Sequence, residues 1–299
     1  LISYLSYFVI LVCAAVLVLK GEFSAGDFFV AIGMVDQLSY PLISLADIIR
    51  ELIAIKPTCA RMEQFILSKE ETSSGKKPME FKQQISFAEV SFSYPGQAMI
   101  IEKLNFIVEK NGRYLIKGPS GCGKTTVINL LLQYYDVTSG QIKIDNIPIE
   151  QYESAYGCMT VVRQEAILFH DSLRNNLTMY QNIEDSELVK MLAQLGLNKY
   201  ANRDALDEMV EENGSNLSGG ERKRICLARA LLRKTDILIL DEPLANLDDE
   251  TGEKIEDLLL QITDRTLIIV SHQFTDKKVK SFDQVLRLDM YNKNWAPLA

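Results

Sequence analysis

A glycine-rich loop at residues 118–125, Gly-Pro-Ser-Gly-Cys-Gly-Lys-Thr, carries a lysine and a threonine at the spacing G-x-x-x-x-G-K-[ST]. Its glycines let consecutive backbone N–H groups turn toward one point, which makes a nest for an anion. Lys124 adds a full positive charge, and the hydroxyl of Thr125 is placed to ligate a magnesium ion that bridges two phosphates. The loop therefore predicts a cradle for the phosphates of a nucleotide.

The residues on either side predict the elements that such a cradle needs. Residues 113–117 form a short apolar run of strand type, and residues 126–133 continue as a helix after the glycines. The start of that helix adds the positive end of its dipole to the nest. A glycine-rich turn without a ligand is the alternative, and the presence of this strand and helix argues against it.

Two adjacent acids follow a second apolar run. Asp241 and Glu242 come directly after residues 237–240, which read Ile-Leu-Ile-Leu. A buried parallel strand is expected to end there, at the sheet edge where open α/β sheets bind ligands. One carboxylate can hold the magnesium through water, and the next can accept a proton from an attacking water. Acids that merely solvate a loop are the alternative, which the upstream cradle disfavours.

A third motif, Leu217-Ser-Gly-Gly-Glu221, places another glycine turn before a helix and so predicts a second anion site. His272 follows the apolar run 266–270 at another strand end, where a functional histidine is expected beside the two acids. A lone histidine in a structural role is the alternative. The phosphate loop and the LSGGE turn can each form one half of a nucleotide site. Two such halves on one chain suggest that the chain dimerises.

These motifs together resemble the ATP-binding cassette (ABC) superfamily over residues 85 to about 290, because LSGGE is a variant of that family's LSGGQ signature. The resemblance implies an α/β P-loop NTPase fold with a mixed sheet core, an antiparallel β subdomain and a helical subdomain at about 165–217. It also implies ATP as the nucleotide, Mg²⁺ as the cofactor and γ-phosphoryl transfer to water as the reaction.

The resemblance also implies roles for individual residues. Glu242 is the expected general base, and Tyr94 is expected to stack on adenine. The implied catalytic residues are Glu242, His272, Gln164 and Lys124. The implied magnesium ligands are Thr125, Gln164 and, through water, Asp241. The implied nucleotide contacts are Tyr94, Gly118, Pro119, Ser120, Gly121, Cys122, Gly123, Lys124, Thr125, Thr126, Ser218, Gly219, Gly220, Glu221 and Asp248.

The same resemblance implies a partner. Two cassettes of this family meet head to tail, so that Ser218 and Gly220 of one subunit cover the γ phosphate that lies on Lys124 of the other. The partner is therefore expected to be a second half-transporter. A homodimer and a heterodimer both stay open.

The start of the chain predicts two membrane helices. Residues 1–19 contain no charged residue, and at about 1.5 Å per residue they approach the ~30 Å thickness of the hydrocarbon layer. Residues 28–49 form a second, less apolar stretch, and Arg50, Lys56 and Arg61 behind it place that end in the cytoplasm. A signal peptide is the alternative, but the segment has no basic start and no small-residue cleavage site.

This pair resembles the last two helices of an exporter-type half-transporter, which implies four further helices upstream. The expected domains are a transmembrane part at 1–67, a linker at 68–84 and a nucleotide-binding domain at 85–299. We expect a multi-pass protein of the plasma membrane, with its nucleotide domain in the cytoplasm and a small molecule, lipid or peptide as cargo. The fragment alone is expected to bind ATP without transporting anything.

Composition narrows the choice of partners and compartment. The net charge of −8 disfavours nucleic acid as a partner. The cysteines at positions 13, 59, 122, 158 and 226 form no C-x-x-C pair, which indicates reduced thiols that face a cytosol. Two other classes stay open. The fused membrane segment argues against a soluble ATPase subunit of an importer, and the intact catalytic set argues against an ATP-binding remnant or regulatory module.

Overall fold

The computed structural model describes residues 2–67, 76–119, 121–245, 247–272, 274–288 and 295–298. Two calls from the sequence fall outside these residues: Ser120 of the phosphate loop, and the part of the predicted linker at 68–75. The chain divides into two compact units, Leu1–Thr72 and Ser73–Ala299.

The first unit consists of two helices, α1 at Ile2–Leu19 and α2 at Ala25–Leu67. The turn between them is closed by a reciprocal pair of hydrogen bonds, because Asp27 N donates to Ser24 Oγ at 3.2 Å and Ser24 N donates to Asp27 Oδ2 at 2.9 Å. The predicted second span, residues 28–49, lies within one continuous helix that reaches Leu67. Within the ranges that the structure describes, neither helix combines the length and hydrophobicity that are needed to cross a membrane.

The second unit contains the remaining helices and all the described strands. The strands are β1 Gln84–Phe92, β2 Ile101–Glu109, β3 Arg113–Lys117, β4 Ser139–Ile144, β5 Ile147–Pro148, β6 Met159–Val162, β7 Asp171–Ser172, β8 Met209–Val210, β9 Ile237–Asp241, β10 Thr266–Val270, β11 Gln284–Leu288 and β12 Trp295–Leu298. The helices are α3 Lys124–Leu131, α4 Leu173–Thr178, α5 Asp185–Gln194, α6 Arg203–Leu206, α7 Gly219–Leu232, α8 Asp249–Leu260 and α9 Asp276–Val279.

A six-stranded sheet in the order β12-β11-β3-β10-β9-β6 forms the centre of this unit. The pairs from β11 to β6 are parallel, and only β12 runs antiparallel. Every residue of β9 and of β10 is buried, as their continuous apolar sequences predict for a strand covered on both faces. The parallel strands therefore bring the loops after β3, β9 and β10 to one edge of the sheet.

Two smaller parts flank this sheet. The antiparallel sheet β2-β1-β4-β5 is the antiparallel β subdomain that the resemblance implied. The expected helical subdomain contains α4, α5 and α6, and the short antiparallel pair β7-β8 joins its two ends. The apolar runs predicted as strands at 113–117, 237–240 and 266–270 are the strands β3, β9 and β10, and β9 is one residue longer than predicted.

The central sheet provides a test of the fold. Ile239 in β9 is fully buried and pairs with Ile268 of β10 and Val161 of β6. Ile239→Ala should lower the free energy of unfolding by about 2–5 kcal/mol in urea denaturation, because it removes buried methylenes and leaves a cavity. Ile107→Ala is the matched control, since Ile107 is 48% exposed on β2. An equal loss in both variants would contradict the position of β9 at the centre of the sheet.

Candidate functional site

The phosphate loop lies between β3 and α3, and its shape depends on two glycines. Gly121 has φ 79° and Gly123 has φ 102°, both in the left-handed region that favours glycine. At Gly123 a Cβ would also lie 2.9 Å from Ile100 Cγ2. Helix α3 begins directly afterwards, and no side chain of the described residues caps its first turn. The N–H groups of that turn are therefore available to an anion.

Lys124 folds back over the loop that carries it. Its Nζ donates hydrogen bonds to the carbonyl oxygens of Gly118 and Pro119, both at 2.8 Å, and lies 4.0 Å from Cys122 Sγ. The Cys122 side chain is buried in the core, and its predicted contact with the nucleotide stays a prediction.

Asp241 ends β9 beside the start of α3. The hydroxyl of Thr125 donates to Asp241 Oδ2 at 3.1 Å, so the two expected metal ligands from distant parts of the sequence are in contact. The Asp241 side chain is buried. Burial raises the pKa of Asp241 above its ordinary value, while the hydrogen bond from Thr125 and the charges of Lys223 and Lys124 oppose that shift.

Glu242 has an uncommon backbone conformation. Its φ is 52°, in the left-handed region that a residue with a Cβ rarely adopts, and its N–H donates to Val270 O at 2.8 Å. Its Oε1 lies 3.0 Å from Nδ1 of His272, whose side chain is 65% exposed. The other oxygen, Oε2, is buried and has no hydrogen-bond partner among the described residues. Such a buried carboxylate oxygen can accept a hydrogen bond from a ligand or water that enters the cleft.

These groups line a cleft of about 580 Å³. It is lined by Tyr94, Ile100, Gly118, Pro119, Gly121, Gly123, Lys124, Thr125, Thr126, Gln164, Asp241, Glu242, Ala245 and His272. Most of the residues that the sequence analysis singled out therefore lie around one space. Tyr94 lies at the aromatic end, with its ring edge-on to Phe92 and Tyr135 and its hydroxyl 3.3 Å from Thr126 Oγ1.

The predicted residues of the second anion site lie elsewhere. As far as the described residues go, Ser218, Gly219, Gly220 and Glu221 do not line the cleft and instead form the start of α7. Ser218 Oγ accepts from Glu221 N at 3.2 Å, and Glu221 Oε2 accepts from Ser218 N at 2.8 Å. The Glu221 carboxylate therefore caps its own helix.

Asp248 is likewise used locally. It caps α8, because its Oδ1 accepts from Thr251 N at 2.9 Å, and this bond holds the pKa of Asp248 below its ordinary value. The side chain is exposed and does not line the described cleft. Its predicted contact with a nucleotide stays a prediction.

Lys223 is a site residue that the sequence analysis missed. It is buried on α7, and its Nζ donates to the backbone carbonyl of Gln164 at 3.1 Å. Burial lowers the pKa of Lys223, while the charges of Asp241 and Glu242 oppose that shift. Helical spacing gave a signal, because Lys223 shares a face with Cys226 and Leu227, which are both buried.

The part of the chain that the structure describes contains no cluster of three or more His, Cys, Asp or Glu side chains that could hold a metal by themselves. The hydroxyl of Thr125 and the carboxylate of Asp241 are hard oxygen donors, which suit magnesium. Magnesium is commonly held by one or two carboxylates together with substrate phosphates and water. The residues of this cleft fit such a shared site.

Comparison with known proteins identifies the domain. The family described as ABC transporter matches residues 101–245, which include the phosphate loop, the LSGGE motif and the two acids. The chain carries an ABC transporter domain. The matched range runs from β2 to the turn after β9, so the family covers most of the elements that line the cleft.

Two relatives of this chain are named as a flippase and as an export protein. The ATP-dependent lipid A-core flippase of Haemophilus ducreyi is 30% identical over 281 residues, covering 91% of this chain and 48% of that protein. The beta-(1-->2)glucan export ATP-binding/permease protein NdvA of Brucella suis biovar 1 is 32% identical over 299 residues, covering 96% and 49%. The chain spans about half the length of these curated relatives.

A solved structure resembles the chain as well. The structure described as a bacterial Atm1-family ABC exporter with ATP bound matches with a TM-score of 0.68 and 26% identity. The match covers 90% of this chain and 48% of that chain. It extends the similarity beyond the ABC domain to most of the described elements.

The backbone of Glu242 provides a test that does not depend on function. Glu242→Gly should be more stable than Glu242→Ala by about 1 kcal/mol in urea denaturation, because only glycine adopts a positive φ without a Cβ penalty. Both variants remove the carboxylate, so their difference isolates the backbone. At Glu253, exposed within α8, the order should reverse, with glycine about 1 kcal/mol worse. Alanine being more stable at both positions would contradict the left-handed conformation.

Proposed function

We propose that the ABC domain of this chain binds ATP together with magnesium and hydrolyses it, and that two such domains power export across a membrane. The observation that carries this proposal is the single cleft in which Lys124, Thr125, Asp241, Glu242 and His272 come together. A phosphate nest, two oxygen donors for a metal, a buried carboxylate and a histidine are the parts that phosphoryl transfer to water requires.

Thr125 and Asp241 are the proposed magnesium ligands, Asp241 through water, with Gln164 facing the same cleft. When bound, the ion neutralises charge on the phosphates. The buried Asp241 carboxylate suits this role because burial disfavours its charge until a cation is present. Two neutral polar side chains at these positions would attract the ion less strongly than the Asp241 carboxylate does.

Glu242 is the proposed general base. Its left-handed backbone and buried side chain fix the carboxylate at the cleft, and the unpaired Oε2 is free to accept a proton from an attacking water. His272 contacts the other oxygen and so orients the carboxylate, and its exposed ring can also reach a γ phosphate. Lys124 exchanges its loop carbonyls for phosphate oxygens and thereby stabilises the charge of the transition state.

The second half of the site is proposed to come from another chain. Ser218 and Gly220 lie at the exposed start of α7, outside the cleft that contains Lys124. This 14-residue helix has an N-terminus suited to an anion. A second copy or a related half-transporter that docks head to tail would place this N-terminus over the γ phosphate, with Asp248 near the contact.

The chain is proposed to work at the plasma membrane as part of a multi-pass exporter, with its ABC domain in the cytoplasm. Support comes from the names of the relatives and from α1 and α2, which leave large apolar side chains such as Phe8, Leu19 and Phe29 exposed. The two relatives named above handle a lipid A-core and a glucan, which differ chemically. The proposed cargo is therefore stated only as a small molecule, lipid or peptide.

Glu242→Gln tests the proposed base. It removes the proton acceptor and keeps the shape, so turnover should fall by about 10²-fold or more while ATP binding persists. Phosphate release measures the turnover, and light scattering with magnesium and ATP should show a trapped dimer. Hydrolysis at the wild-type rate would contradict the assignment.

Lys124→Ala is the contrasting variant in the same experiment. It should weaken ATP binding itself, because it removes the charge that faces the phosphates, and it should therefore prevent the dimer. Lys254→Ala is its control, since Lys254 is exposed on α8 and pairs with Glu250 one turn away. Equal ATP affinity in the wild type, Lys124→Ala and Lys254→Ala would contradict the phosphate cradle.

A further inference from the structure

Helix α7 holds the segment that carries Gln164 through three side chains on one face. Lys223 Nζ donates to Gln164 O at 3.1 Å, Cys226 Sγ lies 3.5 Å from Ile167 O, and Arg229 donates to Ile167 O at 2.9 Å. The three residues are spaced three apart along the helix, so they form one row. The segment after β6 is therefore attached to the helix that begins with the LSGGE motif.

Lys223 differs from the other two members of this row because it lies next to the reaction site. Its side chain is buried, its hydrogen bond reaches the backbone of Gln164, and Gln164 is one of the residues that line the cleft. The carboxylates of Asp241 and Glu242 are close enough to act on its charge. A buried lysine that bonds a backbone carbonyl is costly unless something compensates it, and these carboxylates do so.

The start of α7 lies close to Lys223 along the helix. Ser218 and Glu221 form the capping box at the start of α7, only a turn before Lys223. A movement of the LSGGE end therefore displaces Lys223, and through it the Gln164 carbonyl. No hydrogen bond among the described residues other than the one from Lys223 is made to that carbonyl.

We propose that Lys223 is a positioning residue, which holds the backbone of Gln164 so that the Gln164 side chain faces the cleft, and which couples the LSGGE end of α7 to that side chain. Lys223 does not touch the nucleotide in this role. The inference rests on the proposed ATP hydrolysis, because Gln164 acts there on the metal and the water.

Lys223→Met tests this proposal in the full chain. Methionine fills nearly the same volume but removes a positive charge that acts on the buried carboxylates of Asp241 and Glu242, so the free energy of unfolding should fall. At a temperature where both proteins are fully folded, turnover should fall about tenfold with the KM for ATP changed less than about twofold, because the affected group acts in the chemical step rather than in binding. A residue with a merely structural role would leave the turnover of the folded protein unchanged.

A double-mutant cycle shows whether Lys223 acts through Gln164. Lys223→Met added to Gln164→Ala should cause no further loss of turnover, because the side chain that Lys223 positions is already absent. Additive losses, a wild-type rate in Lys223→Met, or a weakened affinity for ATP would each overturn the proposal. Lys234→Met is the control, since Lys234 follows α7, is exposed and pairs with Glu187.

Hydrogen exchange separates this inference from the proposed function. In the nucleotide-free chain, Lys223→Met should speed amide exchange in the peptide that covers residues 163–168 at least about tenfold, whereas Lys234→Met should not. A wild-type chain that hydrolyses no ATP would overturn the proposed function, and unchanged exchange in Lys223→Met would overturn the link between α7 and Gln164. The two failures are therefore distinguishable.

Discussion

The site depends on the burial of two adjacent carboxylates, Asp241 and Glu242, at the end of β9. Removing charge from water is expensive, and the surrounding residues offset only part of that cost. Thr125 bonds one carboxylate, His272 contacts the other and Lys223 lies close to both, yet one Glu242 oxygen has no partner among the described residues. In the proposed function, a cation and a polyphosphate complete this arrangement.

The fold imposes this burial through the order of its parallel strands. Because β9 lies between β10 and β6, its residues are all buried, and its last residue, Asp241, pairs with Val270 of β10. The chain must then leave the sheet within one residue, which explains the left-handed φ of Glu242. The phosphate loop also turns sharply at this edge of the sheet, from β3 into α3, and its glycines allow that turn.

Much of this architecture could be predicted because it follows from local sequence patterns. The continuous apolar runs gave the core strands, and the glycine spacing gave the loop before α3. Contacts formed by tertiary packing were harder to predict from the sequence. The bond from Lys223 to Gln164 joins residues that are 59 apart, and the sequence showed only a basic run on a helix. The capping bonds of Glu221 and Asp248 were likewise not predicted, and their expected contacts with a nucleotide stay predictions.

The most direct test of this account is the melting temperature of Asp241→Asn with and without magnesium and ATP. Burial raises the pKa of Asp241, so the folded chain binds this proton more tightly than the unfolded chain does. The folded chain therefore loses stability as the pH rises from the ordinary pKa of an aspartate to the raised pKa of Asp241. At neutral pH the substitution should raise the melting temperature of the nucleotide-free chain by about 2–4 °C. It should also abolish most of the further rise that magnesium and ATP give the wild type. An equal rise in both proteins would contradict the account.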